Sequence, residues 1–146
     1  MALKIFKGIW FLSLIIFLTV FMYNYASLPQ QITVIESTES PFMVSRDAVF
    51  YGFLLIAAVF NMFVFIIKRI FYLKTDFQAW FYGLIISLNI FLLIGINYLT
   101  LYNSAEKYDY SRIGGIIYGS LILIILWTLG WPVYALSKRM FSKQSV

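Results

Sequence analysis

The chain of 146 residues contains no cysteine and no histidine. Without cysteine it makes no disulfide, iron–sulfur cluster, thiolate zinc site or cysteine lipid anchor. Without histidine it lacks the usual haem ligand, the commonest metal ligand and the commonest general acid–base group. Ser-His-Asp and Cys-His catalysis are both excluded. Charge is scarce as well: Asp, Glu, Lys and Arg make up 12% of the residues, against about 25% in a soluble domain. Hydrophobic residues fill the space at 62%, with a mean hydropathy of +0.88. A soluble protein of this size could not cover so much apolar surface with so few charges. Disordered, collagen-like and coiled-coil compositions are excluded on the same grounds. The composition predicts an integral membrane protein. Its net charge of +5 then reports topology rather than nucleic-acid binding, because no basic stripe interleaved with aromatics lies in a soluble segment.

Four apolar runs stand out, Ile5–Tyr25, Ala48–Ile67, Ala79–Leu101 and Ile113–Leu136. At about 1.5 Å rise per residue each is long enough to cross a hydrocarbon core about 30 Å thick. Lys7 is the one charge inside any of them. Lys4, Lys7, Lys68, Arg69, Lys74, Lys138, Arg139 and Lys143 fall on one side of such a bundle, and Arg46, Lys107 and Arg112 on the other. The positive-inside rule places the more basic side in the cytoplasm, and both termini with it. Glu36, Glu39, Asp47, Glu106 and Asp109 fall on the outer side, in agreement. Trp10, Tyr25, Tyr51, Tyr72, Trp80, Tyr98 and Trp131 cluster near the ends of the runs and read as interfacial belts. Asn24-Tyr25-Ala26 is a poor small-x-small cleavage site, so the first helix is expected to be retained rather than removed as a signal. The expected architecture is an all-α integral membrane bundle of four transmembrane helices, one domain over residues 1–146, multi-pass in a cell membrane, with N- and C-termini cytoplasmic.

A faint repeat runs through the chain. Asn24-Tyr25-Ala26-Ser27-Leu28 closes the first run and Asn97-Tyr98-Leu99-Thr100-Leu101 the third. Ser45-Arg46 precedes Tyr51-Gly52, and Ser111-Arg112 precedes Tyr118-Gly119. Such an order fits duplication of a two-helix hairpin, although Tyr, Asn and Ser are common at membrane interfaces in any case.

No acid, and no base beyond Lys7, lies within a run, which argues against a proton relay or voltage sensor. The candidate chemistry is uncharged. Counted from the cytoplasmic end, Ser13, Asn61, Ser87, Asn89 and Thr128 all lie about 9–15 Å deep. Pro132 has no N–H for the carbonyl of Thr128, and its ring pushes that carbonyl aside. Together these residues predict an intramembrane polar layer, read as interhelical glue in preference to a binding site. Gly115-Ile116-Ile117-Tyr118-Gly119, followed by Ser120, is a small-xxx-small face for close helix packing, either inside the bundle or on another subunit. The segment Ala26–Asp47 is the longest connection, a loop with a β-branched stretch at Ile32-Thr33-Val34-Ile35.

The stretch Tyr25-Ala26-Ser27-Leu28-Pro29-Gln30-Gln31-Ile32 resembles the N-terminal domain of the bacterial sporulation-delaying-protein immunity family, which are multi-pass membrane proteins. There a first helix runs into an aromatic and then Leu-Pro-x-x-Ile before a second helix. The likeness covers about 40 residues. The family continues with a Pro, a His and a Gly; here Thr33 stands where the Pro would be, and the chain has no His. The resemblance implies an immunity or partner-binding role in a bacterial inner membrane and carries no site residue across.

The leading expectation is a non-catalytic accessory or structural subunit of a larger membrane complex. The alternatives are a small oligomeric carrier or channel for a neutral or apolar solute, and an immunity-type membrane protein. No enzyme activity, cofactor, metal or nucleic acid is expected. The expected partners are the lipid bilayer and either other membrane subunits or a second copy of the chain.

Overall fold

The computed structural model describes residues 2–35, 41–104 and 110–142. Glu36, Glu39, Glu106, Lys107, Asp109 and Lys143, used above for orientation, lie outside them. In chain order the elements are α1 (Ala2–Ser27), β1 (Gln31–Ile35), β2 (Phe42–Ser45), α2 (Arg46–Ile70), α3 (Thr75–Tyr102) and α4 (Tyr110–Ser142). Four helices are long and apolar enough to cross a membrane. Each overruns its apolar run, because helical hydrogen bonding continues until a cap or turn stops it, not until the hydrophobicity ends.

Local chemistry sets several of these boundaries. Ser45 starts α2, its Oγ accepting a hydrogen bond from the Ala48 N–H at 3.3 Å. Asp47 in the first turn and Lys68 and Arg69 in the last complement the helix dipole. The turn to α3 closes through Phe71 N–H to Ile67 O and Lys74 N–H to Phe71 O, both 2.9 Å. Gln78, buried at the start of α3, donates from Nε2 to Phe71 O at 2.8 Å and pins that turn.

Helix α3 is the hub. It packs most extensively on α1 and also against α4 and α2. Its buried residues Gln78, Tyr82, Ile85, Asn89, Leu92 and Ile96 recur every three or four positions and line one stripe, while Gly83 lies off that stripe against Trp127 of α4. Helices α1 and α2 meet through large side chains rather than close backbones. Phe21 of α1 stacks on Phe17, Phe50 and Phe53 with ring centroids 5.5, 5.4 and 5.9 Å away. The core forms two clusters. One, near the strands, holds Phe17, Phe21, Leu28, Ile32, Ala57, Leu92 and Ile96. The other, toward the end that carries Lys68, Arg69 and Lys74, holds Val64, Tyr82 and Ile85 with Phe6 and Trp10 against them.

Helix α4 is attached differently. Trp80 Nε1 donates to Trp127 O at 2.9 Å, and Trp127 Nε1 donates back to Trp80 O at 3.1 Å. Gly83 makes this clasp possible, since a Cβ there would collide with the Trp127 indole. Beyond the clasp α4 contributes little to the core: none of its most apolar window is buried. The two helical hairpins are thus packed unlike one another, α3 tightly on α4 and α1 loosely on α2. Even so, the two asparagines matched in the repeat touch, Asn24 Nδ2 donating to Asn97 Oδ1 at 3.2 Å.

The segment read from sequence as a loop contains an antiparallel hairpin. Gln31 pairs with Ser45, Ile32 with Val44, Thr33 with Met43 and Ile35 with Phe42, with an irregularity between Thr33 and Ile35. Two strands alone are marginal. Here Ile32 is buried in the core, and the Asn103 side chain acts as a third rung. Its Oδ1 accepts from Thr33 N–H at 2.7 Å while its Nδ2 donates to Thr33 O at 3.1 Å.

Candidate functional site

The two core clusters are separated by a polar layer. Asn61 of α2 and Asn89 of α3 are 6% and 1% exposed and face each other. Asn61 Nδ2 donates to Asn89 Oδ1 at 2.9 Å, and Asn89 Nδ2 donates back to Asn61 Oδ1 at 3.2 Å. The second Asn89 N–H reaches Ser13 Oγ of α1 at 3.1 Å. The second Asn61 N–H bonds its own helix at Ala57 O, 2.8 Å. Trp10 Nε1 of α1 donates to Asn61 Oδ1 at 2.7 Å, and Ser13 Oγ donates to Trp10 O at 2.8 Å. An asparagine amide has two N–H donors and one oxygen. All four donors and both oxygens of this pair are engaged. The network is closed, and it ties α1, α2 and α3 together at one level. In a low-dielectric interior a fully satisfied network rigidifies its surroundings, whereas an unpaired amide would cost free energy.

The other residues of the predicted layer are placed elsewhere. Ser87 Oγ donates to Gly83 O at 3.0 Å and Thr128 Oγ1 to Ile124 O at 2.8 Å, each within its own helix. Thr128 and Pro132 lie exposed on α4, away from the Asn61–Asn89 pair. The structure therefore brings together Ser13, Asn61 and Asn89 and leaves out Ser87, Thr128 and Pro132. Trp10, read from sequence as part of an interfacial belt, is instead a member of the network. Asn24, Asn97 and Asn103 also make interhelical or helix–strand bonds that were not singled out. The sequence signal for Asn24 and Asn97 was the recurrence of Asn-Tyr at the ends of the first and third runs, and Asn103 carried none.

The small-residue face of α4 is open. Gly115 and Gly119 have nothing within 4 Å of where a Cβ would stand, and the same holds for Gly114. Ser120 Oγ donates to Ile117 O of its own helix at 2.8 Å. None of these positions meets α1 or α2 among the described residues. A scan against protein-family models and searches of curated proteins and of solved structures found no match to the chain.

Proposed function

We propose that the chain is a non-catalytic membrane subunit that packs against another membrane protein through α4. Four helices of membrane-crossing length and apolarity support its embedding. The excess of basic residues that the sequence sets on one side of the four runs supports cytoplasmic termini, and the resemblance around Leu28-Pro29 supports a bacterial inner membrane.

The observation that carries the subunit reading is α4. This helix packs mainly on α3, with Phe6 of α1 reaching Trp127, buries none of its most apolar window, and turns Gly114, Gly115 and Gly119 toward open space. Small residues let a second helix backbone approach closely. Helices α1 to α3 are instead joined to one another by the closed Asn61–Asn89 network. For the same reason the polar layer suits a structural joint better than a path for a solute.

The test is purification of the tagged full chain in mild detergent from its host, with native mass and composition measured. A stoichiometric second membrane protein, lost in Gly119→Leu while the chain's own stability is unchanged, is the expected result. A lone monomer or a homo-oligomer would overturn the subunit reading.

A further inference from the structure

We propose that the crevice between α3 and α4 binds one glycerophospholipid, with its phosphodiester between Lys74 and Lys138 and an acyl chain laid along the tryptophans below. The proposal rests on the reading of the chain as membrane-embedded and goes beyond the subunit reading, which it does not need.

A cavity of about 520 Å³ opens at the start of α3, with Lys74, Asp76 and Lys138 around it and Phe77, Trp131 and Tyr134 as its apolar wall. Lys74 Nζ lies 5.6 Å from the Phe71 ring centroid, and Lys138 Nζ lies 5.9 Å from that of Tyr134. Aromatic faces thus hold both ammonium groups near the cavity. Among the described residues no ion pair engages either lysine or Asp76. Lys74 provides no side-chain cap for α3, so the N–H groups of the first turn add partial positive charge at the same place. Two ammonium groups and a helix start suit a phosphate ester. Asp76 stands beside them to accept from a headgroup hydroxyl or amine.

The crevice continues downward. A second hollow of about 370 Å³ shares Asp76, Trp131 and Tyr134 with the first. A third of about 330 Å³ shares Trp80, Trp127 and Gly130 with the second and ends against Leu123 and Leu126. Lining groups therefore pass from charged, to aromatic, to aliphatic along one stripe of α4. Lys138 and Leu123 are about 22 Å apart along that helix at 1.5 Å per residue. One leaflet of hydrocarbon is about 15 Å thick, so a headgroup and a chain fit end to end. Free phosphate would use only the first cavity and would leave the graded apolar crevice unexplained.

The test uses the delipidated full chain in detergent, titrated by native mass spectrometry with phosphatidylglycerol, with diacylglycerol of the same chains, and with glycerol 3-phosphate. The expected result is one phosphatidylglycerol per chain, with diacylglycerol at least tenfold weaker and glycerol 3-phosphate unbound. Lys74→Gln with Lys138→Gln should weaken binding about thirtyfold, roughly fivefold per lysine. Lys68→Gln with Arg69→Gln removes the same charge outside the crevice and should leave binding unchanged. Equal binding of diacylglycerol, binding of glycerol 3-phosphate as tight as the lipid, or equal loss in the two double variants would overturn the site. Extraction of the native chain from membranes by alkaline carbonate would instead overturn the embedded reading beneath it.

Discussion

Asn89→Ala is the most informative single change in this fold. It removes three interhelical hydrogen bonds, two shared with Asn61 and one to Ser13. Asn61 is not abandoned, since its oxygen still accepts from Trp10 and one N–H still reaches Ala57 O. Ser13 keeps its bond to Trp10 O. The second Asn61 N–H loses its acceptor while still buried, so the cost is that of the bonds plus that of one unpaired N–H. Hydrogen bonds between membrane helices contribute about 0.6 kcal/mol on average and at most about 1.7, so three give about 2 kcal/mol, with a ceiling near 5. The assay is SDS-induced unfolding of the full chain in detergent, followed by tryptophan fluorescence. Ser87→Ala is the control at a similar depth, because its hydroxyl bonds only its own helix. A double-mutant cycle of Asn61→Ala with Asn89→Ala should show coupling of about 1 kcal/mol, from the two bonds the pair shares. If Asn89→Ala matches Ser87→Ala, or the two asparagines prove additive, the closed network is refuted.

Two further predictions separate the glycines and test the strands. Gly83→Ala drives a methyl group into the Trp127 indole and should cost about 1–3 kcal/mol as overpacking. Gly115→Ala meets open space and should leave the isolated chain within about 0.5 kcal/mol. Unfolding of the two variants side by side checks the pair, and equal losses would remove the argument that the face of α4 is free. Asn103→Ala removes both bonds to the Thr33 backbone, each contributing about 1 kcal/mol. Amide exchange at Thr33 should then rise while exchange in the middle of α3 stays the same. Unchanged exchange at Thr33 would mean that Ile32 alone holds the hairpin.

Much of the frame was legible in the residues themselves. Four apolar runs predicted four helices, and the helices lie where the runs are. A continuous stretch of Leu, Ile, Phe and Val is readable by length alone, without any partner. The segment Ala26–Asp47 was less readable. Its β-branched Ile32-Thr33-Val34-Ile35 was visible, but a two-stranded hairpin is too weak to be declared by its own sequence. It exists here because Ile32 enters the core and Asn103, some seventy positions away, supplies the extra rung.

The candidate site shows the same division. Depth along a helix follows from counting residues, and that arithmetic is what grouped Ser13, Asn61, Ser87, Asn89 and Thr128 as one expected layer. Which of them meet depends on how each helix is rotated, and a helix that is apolar all round carries no stripe to report that rotation. Only the packing of α1 and α2 around α3 turned Ser13, Asn61 and Asn89 toward a common point, while Ser87 bonded its own backbone and Thr128 faced outward on α4. The sequence by itself determined the number, length and approximate ends of the helices, because apolar length is a local property. The tertiary structure decided which polar side chains share hydrogen bonds and that the small face of α4 is left open, because rotation and neighbour choice are settled by side-chain shape across helices.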